Sequence, residues 1–274
     1  MILYKYVPFR SARLIVENSS IGFTAAEHFN DPFEMHALRF KHTPNRAMNV
    51  CATGAVKNRC NAAYGVLSLT RQPLNSLMWS HYGDSHRGIV IGIEAEKAGF
   101  TCVDRNVIPS SYGEIIYTRT KPNRKDEAPV DEALMKIGED VSSFTNNNYD
   151  LFKNAYLYKS SEWFYEEEVR VVKNIKSEPY ISKYKEGKFE NSAGKWTQVQ
   201  VDGRALYCYH FPKEAVKEVY MGCNVFKNVS RAGMDQEDVF GTLSKWKDEG
   251  IEVYNCRTHY DSWDLEANVW DKQS

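Results

Sequence analysis

Residues 77–94 read Leu-Met-Trp-Ser-His-Tyr-Gly-Asp-Ser-His-Arg-Gly-Ile-Val-Ile-Gly-Ile-Glu. The first part has helical spacing, with Met78, Trp79 and Tyr82 along one face and Pro73 and Asn75 upstream to start the helix. Gly83 to Arg87 is a polar turn. The run from Gly88 to Ile93 is apolar between glycines, the mark of a buried strand. Helix, turn and core strand therefore meet in one short stretch. Such a junction sets two imidazoles, a phenol and an indole at the mouth of a sheet, where small-molecule sites form.

Outward from this stretch, strands are expected at residues 2–7, 21–24, 65–70 and 113–118, and again at 163–172, 197–201, 204–210, 218–221 and 251–255. The tail at 262–270 adds an edge strand. Helices are expected at 12–18, capped by Ser11, and at 43–63, where Met48, Cys51, Ala55, Val56 and Cys60 mark the inner face. Two more, 131–144 and 149–158, are split by Asn146, Asn147 and Asn148, and another covers 236–248. A charged stretch at 119–129 reads as a surface loop, and 182–194 as a hairpin end or mobile loop. Between Phe29 and Glu34, Asn-Asp-Pro sets a turn flanked by two phenylalanines that can pin it to the core.

Helices and strands alternate without a βαβ period or an internal repeat. The expected fold is therefore mixed α+β, one or more largely antiparallel twisted sheets with flanking helices, in a single domain over residues 1–274.

Lys and Arg total 35 against 36 Asp and Glu in the 274 residues, so no excess positive charge draws the chain to nucleic acid in bulk. Aromatics at 13% suit a sheet and would also suit a site that stacks a flat ring. The six cysteines form no Cys-x-x-Cys pair, and no hydrophobic leader precedes Tyr4. They read as reduced thiols of a cytoplasmic protein. A structural zinc is not expected without close ligand pairs. No apolar run is long enough to span a bilayer.

Glu166, Glu168 and Arg170 fall two apart and share one face of a strand, with Glu167, Val169 and Val171 on the other. Two neighbouring carboxylates repel when both are ionised, so a cation offsets them or one pKa rises. An exposed edge strand would carry the same letters. His81 and His86 flank a Gly-Asp turn and could converge on a phosphate or act as an acid/base pair, or be a core-bonded and a solvated histidine. Arg87 is a candidate anion ligand, and Asn30 or Asp31 could face a ligand. Trp79 and Tyr82 suit ring stacking or simple core packing. No glycine-rich phosphate loop and no nucleophile elbow is present.

The ordered motifs Leu3-Tyr4-Lys5-Tyr6, Phe29-Asn30-Asp31-Pro32-Phe33-Glu34, Ser68-Leu69-Thr70, Met78-Trp79-Ser80-His81-Tyr82 with His86-Arg87-Gly88, and Lys159 to Trp163 followed by Tyr165-Glu166-x-Glu168-x-Arg170 resemble a large bacterial and phage-associated family of unknown function. They span roughly the first 170 residues. A second resemblance is to ADP-ribosyltransferases, including the DNA-modifying toxin branch, in the order of an aromatic or basic first strand, a middle aromatic near a polar residue and a late strand glutamate. Tyr4-Lys5-Tyr6 stands where better-known branches carry a His-Gly-Thr-like or Arg-led motif.

That second resemblance implies NAD as substrate and no metal. It implies Glu168, or else Glu166, as the carboxylate near the ribose, with Tyr82 or Trp79 as the stacking wall. Lys5, His81 or Arg87 would lie near the phosphates, and Tyr6 and Arg170 would help line the site. The activity would be ADP-ribosyl transfer to a nucleic-acid or protein acceptor, or NAD hydrolysis, as suits a toxin or anti-phage effector. Two alternatives stand beside it: a non-enzymatic nucleotide sensor, and a metal-independent phosphoesterase or nuclease using His81 and His86.

Overall fold

The computed structural model describes residues 1–38, 46–122, 141–178, 180–227 and 236–271. The chain opens with β1 (Ile2–Val7), and Pro8, its ring holding φ at −59°, starts α1 (Phe9–Asn18). Ser11 consequently lies inside the helix and does not cap it. Ser19 ends α1 in the left-handed region at φ 46°, and β2 (Ser20–Phe23) follows. The next helix, α2 (Arg46–Ala63), runs straight into β3 (Tyr64–Thr70). The Asn75 side chain accepts the Leu77 and Met78 N–H groups and so caps α3 (Ser76–Tyr82), after which the apolar run forms β4 (Ile89–Glu94).

Then come β5 (Ile116–Thr118), α4 (Asn146–Tyr156), β6 (Tyr158–Ser160) and β7 (Glu168–Asn174). The chain continues through β8 (Gly187–Asn191), β9 (Gly194–Val201), β10 (Arg204–His210) and β11 (Val216–Met221). It closes with α5 (Gln236–Asp248), β12 (Glu252–Thr258) and β13 (Leu265–Val269).

The main sheet has seven strands in the order β13-β12-β11-β4-β1-β3-β7. Neighbours run antiparallel except β11 and β12, whose parallel pairing is spanned by α5, since a parallel step needs a crossover. A four-stranded sheet, β2-β10-β9-β8, is antiparallel, and β5 and β6 make a short parallel pair. The fold is α+β with mixed, mostly antiparallel sheets and flanking helices.

Strand alternation divides the core. Leu3, Ile91, Ile93, Val169, Val171 and Val219 join α5 residues and the second sheet, with Trp196 and Trp246 buried among them. Tyr64, Val66 and Val172 have the opposite parity and pack with Val56 and Cys60 of α2 and Phe152 and Tyr156 of α4. A third cluster joins Tyr6, Met78, Trp79, Val90 and Tyr220.

Between β1 and β3 the ladder makes one registered pair, Tyr4 with Thr70. Continued in register it would pair Tyr6 with Ser68. Instead the strands part, and the Lys5 amine donates to the Ser68 carbonyl at 2.9 Å. A gap in the middle of a sheet results.

Several expected boundaries move. The inner face of α2 is turned: Val56 and Cys60 are buried, but Met48, Cys51 and Ala55 are exposed, because Ala63 and Tyr64 continue the stripe that Val56 begins. Asn146, Asn147 and Asn148 start α4, with Thr145 at its N-cap position, and do not interrupt two helices. Residues 141–144 are not helical, and 131–140 lie outside the described residues, as do 43–45 and 123–129 of the expected helix and surface loop. The strand expected from 163 begins at Glu168, since Ser161–Glu166 is a 3-10 helix and Glu167 turns left-handed at φ 42°. Only Ile116–Thr118 of 113–118 is strand, and 182–194 contains β8, which closes a hairpin with β9. Of the two flanking phenylalanines, Phe29 packs inward and Phe33 is exposed.

Candidate active site

The parted strands wall a cavity of about 280 Å³, with Tyr4, Lys5 and Tyr6 on one side and Ser68 and Thr70 on the other. Phe29, Asn30 and Glu34 come to it from the loop after β2, Tyr82 from the end of α3, and Lys159 from β6. Its floor carries Glu166, Glu168 and Arg170. Although β7 is an end strand of the main sheet, all of its residues are buried. Residues outside the ladder cover its edge: Ile108 bridges to Val172, Glu114 bridges to Val169, and the Arg170 N–H donates to the Gly113 carbonyl at 2.8 Å. An edge strand thereby gains the burial of an interior one.

Strand alternation puts Glu168 and Arg170 side by side, and the 3-10 turn brings Glu166 to them from outside the strand. Lys159 Nζ donates to Glu166 Oε2 at 2.5 Å and Glu168 Oε2 at 3.0 Å, and lies 4.9 Å from the centroid of the Trp163 ring. Arg170 gives Nε to Glu168 Oε1 at 2.7 Å and both terminal nitrogens to Glu34, with the Phe29 ring 5.1 Å from its guanidinium carbon. Tyr82 donates to Glu166 Oε1 at 2.7 Å and accepts from Asn30 Nδ2 at 3.2 Å. The Tyr117 hydroxyl accepts the Glu168 N–H at 2.9 Å. One continuous network thus runs from Glu34 to Asn30.

The network splits the two carboxylates. Burial alone would raise Glu168, but the Arg170 and Lys159 charges override it and hold it down at about 2. Burial raises Glu166 and the nearby Glu168 charge adds to that rise, while Lys159 and the Tyr82 hydroxyl only partly offset it. Burial lowers the Lys5 amine, against the pull of Glu168 and Glu166. For Lys159 the balance is reversed: burial acts downward, yet the two glutamates leave it raised. The site therefore combines a fixed anion, a more basic carboxylate beside it, and an amine destabilised as a cation.

Among the residues that sequence singled out, Lys5, Tyr6, Asn30, Tyr82, Glu166, Glu168 and Arg170 line this cavity. Asp31, Trp79, His81, His86 and Arg87 do not. Buried Asp31 accepts the Phe33 N–H at 2.9 Å, the Asx turn of the loop. Trp79 is fully buried in the third core cluster and donates Nε1 to the Pro73 carbonyl. Exposed His81 lies beside Tyr82 and Tyr165. His86 stacks on Trp79 with its Nε2 3.1 Å from the Ser80 hydroxyl, and burial lowers its imidazole. Arg87 pairs with Asp84 at 2.9 Å. The turn therefore directs the two histidines to different neighbours, because Asp84, Ser85 and His86 all adopt positive φ.

Glu34, Lys159 and Phe29 are site residues that sequence reasoning passed over. The signal was available for Lys159, since paired carboxylates need a cation and this lysine begins the same motif. Glu34 closes the Phe29–Glu34 motif, but nothing local links it to an arginine 136 residues away.

Residues 78–171 match the model of a family described as a protein of unknown function, DUF2971. The match supports the resemblance to a family of unknown function. It runs from α3 to β7 and takes in Tyr82, Lys159, Glu166, Glu168 and Arg170, while Lys5, Asn30 and Glu34 fall before it. No curated protein and no solved structure matches the chain. No helix among the described residues is long and apolar enough to cross a membrane.

Proposed function

We propose that the cavity binds the nicotinamide-ribose half of NAD and breaks the bond between them, as an NAD glycohydrolase or an ADP-ribosyltransferase. The observation that carries this is the split carboxylate pair, Glu168 ionised and Glu166 more basic, on the floor of one cavity. Cleavage builds positive charge on the ribose, which a fixed buried carboxylate stabilises as it develops. The bond electrons go to the pyridinium nitrogen, and nicotinamide leaves neutral. Water or an acceptor nucleophile then adds to the ribose carbon, and its proton passes to Glu166.

Glu168 supplies the fixed charge and Glu166 the base, with Tyr82 orienting Glu166. Tyr82 and Phe29 provide ring surface, and Lys5 provides a donor for the phosphate side. At about 280 Å³ the cavity is at the small end of ligand sites, so the rest of the dinucleotide would lie in its mouth. The acceptor would be a nucleic acid or a protein, and depletion of NAD or modification of such an acceptor would suit a toxin or anti-phage effector.

One observation favours a second reading, a nucleotide sensor without turnover: Glu34, Arg170, Glu168 and Lys159 already satisfy one another. A phosphoesterase built on His81 and His86 has less support, as neither lines the cavity. Mass spectrometry of nicotinamide release, with thermal shift, separates these readings. Release by wild type and not by Glu166→Gln, at matched circular dichroism, is the expected result. Stabilisation by NAD without product would favour the sensor, and neither binding nor release would remove NAD from consideration.

A further inference from the structure

We propose that Phe33, His36, Lys57 and Lys121 form a second binding site, one that takes the phosphate of a nucleotide and stacks its base. Lys121 Nζ is 3.5 Å from His36 Nδ1 and 5.8 Å from the Phe33 ring centroid, and the Phe33 and His36 rings meet edge to face at 5.8 Å. Lys57 joins them from α2. None of these four residues lines the Glu166 cavity.

Among the described residues, neither lysine nor His36 makes an ion pair with a carboxylate. Asp31 is the acidic neighbour of His36, and its carboxylate is buried and occupied by the Phe33 N–H. The basic groups therefore act on one another. Burial, then Lys57 and Lys121, lower His36, and burial, then Lys121, lower Lys57. Gathering basic groups that no carboxylate pairs with among the described residues raises the free energy of the unliganded state, and an anion that accepts hydrogen bonds from them relieves it.

A tetrahedral phosphate accepts from several donors at once, and here they come from separate segments, Lys57 from α2, Lys121 from the stretch after β5 and His36 from the loop after β2. Phe33 is 59% exposed beside them, and an aromatic face next to cations is how a base attached to a phosphate is held. The same loop supplies Asn30 and Glu34 to the cavity. The second site requires no turnover there, however, and stands whether or not NAD is the substrate.

Isothermal titration at low salt with inorganic pyrophosphate, AMP and adenosine tests the proposal. Pyrophosphate and AMP are expected to bind and adenosine to bind at least about tenfold more weakly, with Lys57→Gln and Lys121→Gln each costing about tenfold for both anions. Phe33→Ala should weaken AMP and leave pyrophosphate unchanged. Neither Lys57 nor Lys121 lines the Glu166 cavity, so losses in the two lysine variants separate this site from it. A single-stranded oligothymidylate distinguishes the source of the phosphate: much tighter, steeply salt-dependent binding assigns it to a strand, and affinity no better than that of AMP assigns it to a free nucleotide. Absence of anion binding, or wild-type affinity in both lysine variants with circular dichroism unchanged, overturns it.

Discussion

Arg170 grips Glu34 with both terminal nitrogens, Nη1 2.8 Å from Oε2 and Nη2 2.5 Å from Oε1, and so ties the loop after β2 to the end strand of the main sheet. Its Nε is turned the other way, to Glu168, so a single buried guanidinium serves two carboxylates. Removing it leaves both buried and short of a partner. Arg170→Met is therefore expected to cost about 3–5 kcal/mol, and Arg170→Lys to recover only part, because an ammonium cannot reproduce the fork. Urea denaturation of both variants checks this. A loss below about 1 kcal/mol for Arg170→Met would mean that the pairs behave as solvent-exposed ones.

The two glutamates give opposite pH dependences. Glu168 has its folded pKa depressed to about 2, below the ordinary 4.5, so its stabilisation is present above 4.5 and is lost as pH falls from there towards 2. Glu166 is raised, so its contribution is present below 4.5 and is lost as pH rises through its folded value. Glu168→Gln should flatten the acid limb of the stability profile between those two pH values. Glu166→Gln should reduce the loss of stability above it. Denaturation midpoints across pH distinguish them, and an unchanged acid limb in Glu168→Gln would place the acid sensitivity elsewhere.

Tyr82 tests the chemical role of the pair. Its hydroxyl bond lowers Glu166, so Tyr82→Phe should let the Glu166 pKa rise further. If Glu166 takes the proton in NAD cleavage, the acidic limb of the rate profile should move to higher pH in this variant while the circular dichroism spectrum stays the same. A uniform loss of rate at every pH would assign the hydroxyl to holding Glu166 and Asn30 in place instead, and an unchanged profile would leave Tyr82 only its ring contact.

Much of the fold was legible because its signals are local. The Gly88 to Ile93 run, the Asn75 cap and the period of α5 each lie within one short window, and each forms its expected element. Legibility failed where a distant partner decides. The 3-10 turn at Ser161–Glu166 has the letters of a strand, and Glu166 meets Glu168 because Lys159 binds both, not because they share strand parity. Trp79 and Tyr82 occupy one helix three residues apart, yet the helix buries the indole and turns the phenol to the cavity. Nothing in the motif at 77–94 announces that β1 and β3 part, which is what makes the cavity.

The left-handed turn between α3 and β4 has an energetic consequence. Asp84, Ser85 and His86 lie at φ 50°, 55° and 65°, a conformation that costs an L-residue with a side chain roughly 1–2 kcal/mol. Packing enforces it, for the Asn224 and Trp79 backbones bond His86 on either side. Exposed Ser85 makes no side-chain bond that glycine would lose among those described. Ser85→Gly should thus stabilise by roughly 0.5–1 kcal/mol, the relief being reduced by the greater freedom of glycine in the unfolded chain. Ser85→Val should destabilise. Thermal midpoints of the pair check the sign, and equal midpoints would show that the turn carries no strain.

Gly113 offers the sharpest test of how the site is enclosed. A Cβ built there would lie 1.8 Å from the Arg170 carbonyl oxygen, and the obstacle is backbone, so no side-chain rotation relieves it. The Gly113 carbonyl in turn accepts the Arg170 N–H at 2.8 Å, and this contact helps cover the edge of β7. Gly113→Ala must push the covering segment away, at an expected cost of at least about 2 kcal/mol from overpacking and the lost bond. Because that segment bonds the backbone of Arg170, the Arg170 amide should exchange with solvent faster than in wild type by more than the global loss of stability explains. Hydrogen exchange read at that amide and at one in β4 separates local opening from global unfolding: equal acceleration at both would mean that the cover contributes to overall stability alone, and faster exchange at Arg170 would assign it the enclosure of the site.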